Sequence, residues 1–323
     1  MPERDRQAPQ ADGTGPVPVP GHATRSNQER DRQAPQADGT GPVPVPGHAT
    51  RNNQERDRQP PKAGGPATGN PDHDDLALLE ETVRAAGHIA RSYFGTDYKR
   101  WNKDGGSPVT EADLAVDRHL HDALTAARPG YGWLSEESAD NPARLEKDRT
   151  FVVDPIDGTV AFLKQRPHFT ICAGIVTQGR PCCGVVYNPM TDELYSARLG
   201  GGAHRNGTPI RVGTRETLAD CAMLGDRTQL VKAPWPAMHV QNRNSVAYRV
   251  VLVADASADA SVSLTPKRDW DLAAGEIILT EAGGRLTSAT GAALVYNRPD
   301  TLQPSLVAAN PALHDRIVHL LRQ

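Results

Sequence analysis

Three separated segments of the chain carry carboxylates that could hold divalent cations. The first is D-P-I-D-G-T at residues 154–159, in which Asp154 and Asp157 directly follow an apolar run. Carboxylate and carbonyl oxygens are the ligands that Mg²⁺ prefers, usually together with the phosphate oxygens of a substrate. Pro155 disfavours the helical region for the residue before it, and Gly158 allows a ligand to approach the backbone closely. The segment therefore predicts a metal and phosphate site, although an ordinary acidic turn has the same composition.

The other acids in a suitable context are Glu136, Asp271 and Asp113. Glu136 and its neighbour Glu137 follow the strand-like segment 132–135, where a pair of acids often marks only a solvated loop. Asp271 precedes an apolar helical stretch, a position where aspartate commonly acts as an N-cap. Asp113 lies in the first turn of a predicted helix, where a negative charge also interacts favourably with the helix dipole. Each residue has a structural explanation on its own, and only their combination predicts a catalytic site.

The spacing around Asp157 also bears on the nucleophile. Haloacid-dehalogenase phosphatases use D-x-D-G-T after a strand, and the first aspartate of that pattern is their nucleophile. Alignment of Asp157 with the second aspartate places Pro155 at the nucleophile position. Because proline cannot attack phosphorus, we expect a water activated by metal ions to be the nucleophile.

Residues 1–72 differ in composition from the rest of the 323-residue chain. They contain no Phe, Trp, Tyr, Leu or Ile and hold 13 of the 27 prolines, so they cannot bury enough apolar surface to offset the entropy of ordering. Residues 3–28 recur as residues 29–54 with a single difference. We predict a disordered repeat tail over residues 1–73. Its repeated P-V-P-V-P favours polyproline II, which could bind an aromatic groove of a partner.

The bulk composition excludes several classes of protein. The formal net charge is -3 and no basic patch dominates, so we expect no nucleic-acid polymer as a partner. No stretch approaches about 18 apolar residues, and the first residues lack the apolar run of a signal peptide, so we expect a cytoplasmic protein without a membrane span. We interpret the cysteines as reduced, buried thiols rather than as disulfide partners or metal ligands: Cys172, Cys182, Cys183 and Cys221.

Apolar periodicity predicts helices from about residue 74 onward. The first helix should have Asp74 or Asp75 as its N-cap and should stop at Gly95. A second helix should begin after Thr110, a suitable N-cap. The clearest later helix spans residues 271–281 and ends at a pair of glycines.

Short strands and turns fill the segment between these helices, including a hairpin of residues 169–176 and 181–187 that we expect to turn at Gln178 and Gly179. Strands alternate with helices beyond about residue 214. This order predicts an α/β (α+β) layered fold in two parts. We place an N-terminal α+β subdomain with the metal site at residues 74–213 and a C-terminal α/β subdomain at residues 214–323.

In order and spacing, the acidic segments resemble the inositol monophosphatase superfamily. D-P-I-D-G-T and the W-D-L-A-A-G of residues 270–275 are highly specific in combination, and the resemblance covers about residues 76–323. It implies a layered αβαβα sandwich of the sugar-phosphatase type and lithium-sensitive hydrolysis of a small phosphorylated metabolite. It also implies two or three Mg²⁺ ions and suggests a homodimer.

The resemblance further implies which residues hold the metal ions. Glu136, Asp154 and the carbonyl of Ile156 would bind the first ion. Asp154, Asp157 and Asp271 would bind the second. Glu136 would help to hold a third ion through water.

The catalytic and phosphate-binding roles follow from the same resemblance. Asp113 and Thr159 would orient and deprotonate the attacking water, and Glu136 would take part through the ion that it holds. The backbone amides of Gly158 and Thr159 would bind the phosphate.

Motif details favour a nucleotide as the substrate. S-P-V-T-E-A-D at residues 107–113 looks more like the 3'(2'),5'-bisphosphate nucleotidases than the inositol monophosphatases, so 3'-phosphoadenosine 5'-phosphate is the lead substrate. Lys267 could meet its second phosphate. Inositol-1-phosphate is the first alternative. Histidinol phosphate is the second, because histidinol phosphatases share the S-P-V-T-E-A-D motif. The alternative outside enzymes is an inactive scaffold that binds partners through its proline-rich tail, although all the expected acids and Thr159 are present.

Overall fold

The computed structural model describes residues 71–103 and 106–323. Most of the predicted tail, up to residue 70, lies outside the described residues. The helices are α1 (Pro71–Tyr93), α2 (Glu111–Ala127), α3 (Thr159–Leu163), α4 (Arg227–Leu230), α5 (Val246–Ala254), α6 (Asp269–Glu281) and α7 (Pro311–Leu321). The strands are β1 (Arg100–Asn102), β2 (Pro108–Thr110), β3 (Gly132–Ser135), β4 (Arg149–Asp157), β5 (Thr170–Thr177), β6 (Arg180–Asn188), β7 (Glu193–Arg198), β8 (Ala203–Arg205), β9 (Thr208–Pro209), β10 (Ala222–Gly225), β11 (His239–Gln241), β12 (Ala260–Ser263), β13 (Lys267–Arg268), β14 (Arg285–Thr287), β15 (Leu302–Gln303) and β16 (Leu306–Ala309).

The larger sheet has seven strands in the order β3-β4-β5-β6-β7-β8-β9. Its strands pair antiparallel except for β3 and β4, which run parallel. The hairpin of β5 and β6 turns at Gln178 and Gly179, as predicted, and both residues have positive φ (49° and 74°). Nearly every residue of the long strands β4, β5 and β6 is buried, which indicates that both faces of the sheet are covered.

The smaller sheet has five strands in the order β11-β10-β12-β16-β14. β10 runs parallel to both β11 and β12, and β16 runs antiparallel to both β12 and β14. All of its strands lie after residue 214. The two sheets therefore come from the two predicted parts of the chain, and the boundary between those parts stays a prediction.

Helices separate and flank the two sheets. α1 and α2 pack on one face of the seven-stranded sheet, with Leu79, Val116 and Phe151 in the shared core. α5 and α6 fill the space between the two sheets, and α7 packs on the far face of the smaller sheet. The succession is helix, sheet, helix, sheet, helix, which confirms the predicted αβαβα sandwich.

The helix starts differ from the predictions in two places. α1 begins at Pro71, so neither Asp74 nor Asp75 is its N-cap. α6 begins at Asp269, which makes Asp271 its third residue and not its cap. Thr110 is confirmed as the N-cap of α2, with its side chain accepting from the Asp113 amide. Within the described ranges, none of the helices combines the length and apolarity needed to cross a bilayer.

Candidate active site

The end of β4 and the first turn of α6 bring three carboxylates together. Carboxylate oxygens of Asp154, Asp157 and Asp271 lie within 4.8 Å of one another. The β4–β5 register is irregular between Asp154 and Asp157, where Pro155 has no amide hydrogen to donate. Such an irregularity re-aims side chains, so two acids three residues apart can reach one site.

These carboxylates fit a divalent cation with oxygen ligands. Asp154 is 1 % exposed, and its Oδ1 is buried without a hydrogen-bond partner among the residues that the structure describes. Burial, and then the charge of Glu136, raises the pKa of Asp154 well above its usual value. Burial also raises the pKa of Asp157 to about 6 and that of Asp271 to about 7. A bound cation would relieve this repulsion, because an opposite charge favours the ionised carboxylate.

The amino end of α5 orients Asp157. Ser245 donates its hydroxyl to Asp157 Oδ2 at 2.6 Å, and the amide of Ala247 donates to the same oxygen at 2.7 Å. The amide of Val246 donates to Oδ1 at 3.1 Å. Ser245 is also the N-cap of α5, so one hydroxyl both begins the helix and holds the carboxylate.

Glu136 and Glu137 lie at the end of β3, where Lys103 contacts both. The Lys103 Nζ lies 3.0 Å from Glu136 Oε1 and 2.7 Å from Glu137 Oε1. Burial raises the pKa of Glu137 to about 7. Glu136 also acts electrostatically on Asp154 and Asp271, so it borders the three-carboxylate group.

Asp113 and Thr159 meet across the site. Asp113 is 1 % exposed, and its Oδ2 accepts from the Thr110 amide at 2.9 Å and from the Thr110 hydroxyl at 2.5 Å. Its Oδ1 accepts from the Thr159 hydroxyl at 3.3 Å. Burial raises the pKa of Asp113 to about 6. Asp113, in the first turn of α2, therefore presents one carboxylate oxygen to the hydroxyl of Thr159.

Gly158 is the turn that connects β4 to α3. Its φ is 99°, and a Cβ at this position would lie 3.0 Å from the Ser245 nitrogen and 3.1 Å from the His168 oxygen. Only glycine therefore fits. The turn borders a cleft of about 200 Å³, lined by Ser107, Pro108, Glu136, Ile156, Gly158, Thr159, Val160, Asn244 and Asp271.

The chain is similar to known phosphatases over nearly all of its described length. It matches the inositol monophosphatase family over residues 73–323. The chain belongs to the inositol monophosphatase family. Members of this family are metal-dependent phosphatases, so the chain is a phosphoric monoester hydrolase.

Individual relatives in the family carry different names. The chain is 36% identical to an inositol-1-monophosphatase of Rhizobium meliloti over 236 residues, which cover 66% of this chain and 85% of the relative. It is 30% identical to the 3'(2'),5'-bisphosphate nucleotidase CysQ of Aggregatibacter actinomycetemcomitans over 246 residues, 70% of this chain and 89% of the relative. A solved structure of an IMPase from Thermotoga maritima superposes with a TM-score of 0.67 at 27% identity, covering 78% of this chain and 97% of that one.

Lys267 lies near the carboxylates of the site. It is not among the described residues that line the cleft. Its Nζ donates to Thr265 Oγ1 at 3.0 Å and to the Pro266 carbonyl at 3.1 Å. Burial lowers the pKa of Lys267, and the charges of Asp271 and Asp157 oppose that shift.

Sequence reasoning missed three residues of the site. Ser245 stands at the start of an apolar helix, and only its N-cap character could have indicated a polar role. Arg249 is a lone charge in the otherwise apolar run Val246–Ala254, which is a usable signal for a functional residue. Lys103 precedes the S-P-V-T motif by four residues, a position that carries no signal of its own.

Proposed function

We propose that the chain is a Mg²⁺-dependent 3'(2'),5'-bisphosphate nucleotidase that hydrolyses the 3'-phosphate of 3'-phosphoadenosine 5'-phosphate. The observation that carries the choice of substrate is a pair of cationic side chains, Arg249 and Lys267, beside the carboxylate group. One phosphate belongs at the carboxylates with the metal ions. A second phosphate on the same substrate gives the two cations a partner.

Of the two cations, Arg249 gives the stronger support for a second phosphate on the substrate. It is 6 % exposed, and its Nε is buried without a hydrogen-bond partner in the described part of the chain. Burial lowers its pKa, and the charges of Asp157 and Asp271 oppose that shift. A buried guanidinium with an unmatched donor is costly unless a ligand completes it, and its planar fork suits phosphate oxygens.

Asp154, Asp157, Asp271, Glu136 and the Ile156 carbonyl are the proposed ligands of two or three Mg²⁺ ions. When bound, these ions would neutralise phosphate charge and lower the pKa of a nearby water. All proposed side-chain donors are oxygens, which favours Mg²⁺ over softer cations.

The remaining roles belong to the chain's own residues. Asp113 accepts from the Thr159 hydroxyl, so the oxygen of Thr159 is left with lone pairs that can accept from the attacking water. Asp113 is then the group that takes up the proton. The amides of Gly158 and Thr159 are the proposed donors to the phosphate.

Inositol-1-phosphate is the second candidate, because the Rhizobium meliloti relative is named an inositol-1-monophosphatase. This substrate has hydroxyls where the nucleotide has its second phosphate, so it offers no second phosphate to Arg249 and Lys267. Histidinol phosphate also has a single phosphate.

The deciding experiment is phosphate release from 3'-phosphoadenosine 5'-phosphate, inositol-1-phosphate and histidinol phosphate, measured as kcat/KM with Mg²⁺ and with excess EDTA. We expect hydrolysis only with Mg²⁺ and the highest kcat/KM for the bisphosphate. A higher kcat/KM for either monophosphate would reject the proposed substrate, and full activity in EDTA would reject the metal assignment.

The expected cytoplasmic location and homodimer are part of the same proposal, and light scattering of the purified protein tests the dimer.

A further inference from the structure

Two neighbouring cysteines in β6 lie on the same face of the seven-stranded sheet. Adjacent residues of a regular strand point to opposite faces, as Val185 and Val186 do in this strand. At Cys182 the pairing with β5 shifts by one residue, which is a β-bulge. The bulge turns Cys182 and Cys183 toward the same core, the one shared with α1 and α2.

The first turn of α1 adds a carboxylate to this pair. The sulfurs of Cys182 and Cys183 and a carboxylate oxygen of Asp72 lie within 4.8 Å of one another. Cys183 Sγ donates to the main-chain oxygen of Asp72 at 3.3 Å. The two thiols are 2 % and 0 % exposed.

Arg149 completes the surroundings of the cluster. Its guanidinium lies 2.7 Å from Asp72 Oδ1, 3.0 Å from Asp75 Oδ2 and 3.8 Å from Cys182 Sγ. The hydrogen bond from Cys183, and then the charge of Arg149, lowers the pKa of the Cys182 thiol against the effect of burial. The thiol pair therefore lies beside the carboxylates of Asp72 and Asp75 and the guanidinium of Arg149.

The sequence alone favoured no metal role for these cysteines, but the bulge brings both sulfurs to one carboxylate. We propose that Cys182, Cys183 and Asp72 bind one thiophilic divalent cation of the zinc class, which joins the first turn of α1 to β6. Two sulfur donors and one oxygen select zinc-like cations over Mg²⁺, which takes oxygen ligands. A tetrahedral zinc ion with Zn–S near 2.3 Å holds two sulfur ligands roughly 3.8 Å apart, and the three donor atoms here lie within 4.8 Å of one another. The fourth position would be taken by water.

The positive charge of Arg149 beside the cluster does not prevent a cation from binding, because binding releases protons. Thiols bind such a cation as thiolates, so one divalent ion enters as two thiol protons leave and the net charge is unchanged. The carboxylate of Asp72 contributes one oxygen to the cluster and also pairs with Arg149 at 2.7 Å. Arg149 also keeps its contact with Asp75.

The thiol cluster is separate from the phosphatase site. Asp154 pairs with Cys172 in the sheet, and Cys172 pairs with Val186, four residues along β6 from Cys182. That separation is roughly 13 Å at 3.3 Å per residue. Cys172 also belongs to the core on the opposite face of the sheet. Occupancy of the thiol cluster can therefore be measured while Mg²⁺ saturates the carboxylates.

The test is a titration of the reduced full-length protein with Cd²⁺ in excess Mg²⁺, followed by the ultraviolet charge-transfer absorption of Cd²⁺–thiolate bonds. We expect saturation at one equivalent, displacement by Zn²⁺ in competition, and a higher Tm with Zn²⁺ than with Mg²⁺ alone. Asp72→Asn should weaken Cd²⁺ binding by at least the roughly tenfold that loss of an outer-shell partner causes. Cys183→Ser removes one of the two thiolate ligands, so it should lower the absorption at one equivalent to about half or less. Cys221→Ser is the matched control, since Cys221 is also fully buried but lies in the core of the smaller sheet.

Two outcomes would overturn the proposal. One is the lack of a charge-transfer band at one equivalent in the unmodified protein, a result that does not depend on any variant folding. The other is a band in Cys183→Ser or Cys182→Ser equal to that of the unmodified protein. Circular dichroism of each variant shows whether it is folded, and phosphatase activity with Mg²⁺ should be unchanged in both.

Discussion

The hydroxyl of Thr159 donates to Asp113 Oδ1 at 3.3 Å, joining residues 46 positions apart in the chain. The same hydroxyl lies 3.2 Å from the Ile156 carbonyl, a proposed metal ligand. Thr110 holds the second oxygen of Asp113, so this carboxylate is fixed from both sides. The pair therefore has the geometry to orient a water next to the carboxylate group.

Thr159→Ala should lower kcat without weakening Mg²⁺ binding. The hydroxyl positions the water and is not a proposed metal ligand, so the loss should be about 10²–10⁴-fold, as for other acid–base groups. Thr159→Ser keeps the hydroxyl and is the matched control. The measurement is kcat against Mg²⁺ concentration, and a shift of the Mg²⁺ midpoint at unchanged kcat would contradict the assigned role.

Asp154→Asn should be the most damaging single change at the carboxylates. Asp154 is the proposed ligand of two ions and has an unpartnered buried oxygen in the described structure. The amide keeps the shape of the side chain but removes the charge, so both proposed ions lose part of the negative field that holds them. Activity and Mg²⁺ affinity should fall together, and Asp157→Asn and Asp271→Asn provide the comparison. Near-normal turnover of Asp154→Asn at ordinary Mg²⁺ would mean that the mechanism must be redrawn.

Arg249→Met should lower kcat/KM for 3'-phosphoadenosine 5'-phosphate roughly tenfold to a hundredfold, the usual range for a charged hydrogen bond. Hydrolysis of inositol-1-phosphate should change much less, because that substrate has no second phosphate. Arg316→Met, an exposed arginine on α7, is the matched control. Equal losses for both substrates would indicate that Arg249 supports the fold or the metal ions instead.

The stabilising effect of Mg²⁺ should grow with pH. Asp113 and Asp157 have pKa values raised to about 6 and Asp271 to about 7, against about 3.9 in an unfolded chain. The folded state thus binds these protons more tightly, so their contribution to stability is complete below about pH 4 and is lost as the pH rises through 6 to 7. Without divalent ions the Tm should therefore fall over this window, and Mg²⁺ should restore it. Thermal melts in EDTA and in Mg²⁺ between about pH 5 and 8 test this, and an equal Mg²⁺ shift at both ends would refute it.

Removal of the tail should leave activity and Tm unchanged, because residues 1–70 contain no Phe, Trp, Tyr, Leu or Ile with which to form a core. The cut belongs before α1 and not inside it. Asp72 pairs with Arg149 at 2.7 Å, so a chain that starts at Gly64 keeps this contact, whereas one that starts at residue 74 loses it. Comparison of the two truncated chains with the full chain shows whether the tail or the ion pair matters.

The local sequence was sufficient for the elements of the fold and for the family. Thr110 as a helix cap and the turn at Gln178 and Gly179 follow from interactions between residues close in sequence, and both are confirmed. The order of the acidic motifs and the W-D-L-A-A-G segment indicated the inositol monophosphatase family. Short-range rules were less successful at helix starts, since α6 begins at Asp269, two residues before the position that looked like its cap. Asp269 is held by the Asn297 amide and the Gln303 side chain, which are distant in sequence.

Long-range contacts decided which side chains share a site. Asp157 takes its donors from residues about 90 positions later, at the amino end of α5. The charge of Arg249, on the same helix, acts on Asp157 and Asp271. The two neighbouring cysteines share a face only because β6 bulges against β5, and Asp72 joins them from the first turn of α1. Residue types and spacing along one segment determine which local structures and which chemistry are possible. Only the packing of sheets and helices determines which distant groups meet, because that depends on how buried surfaces fit together across the whole chain.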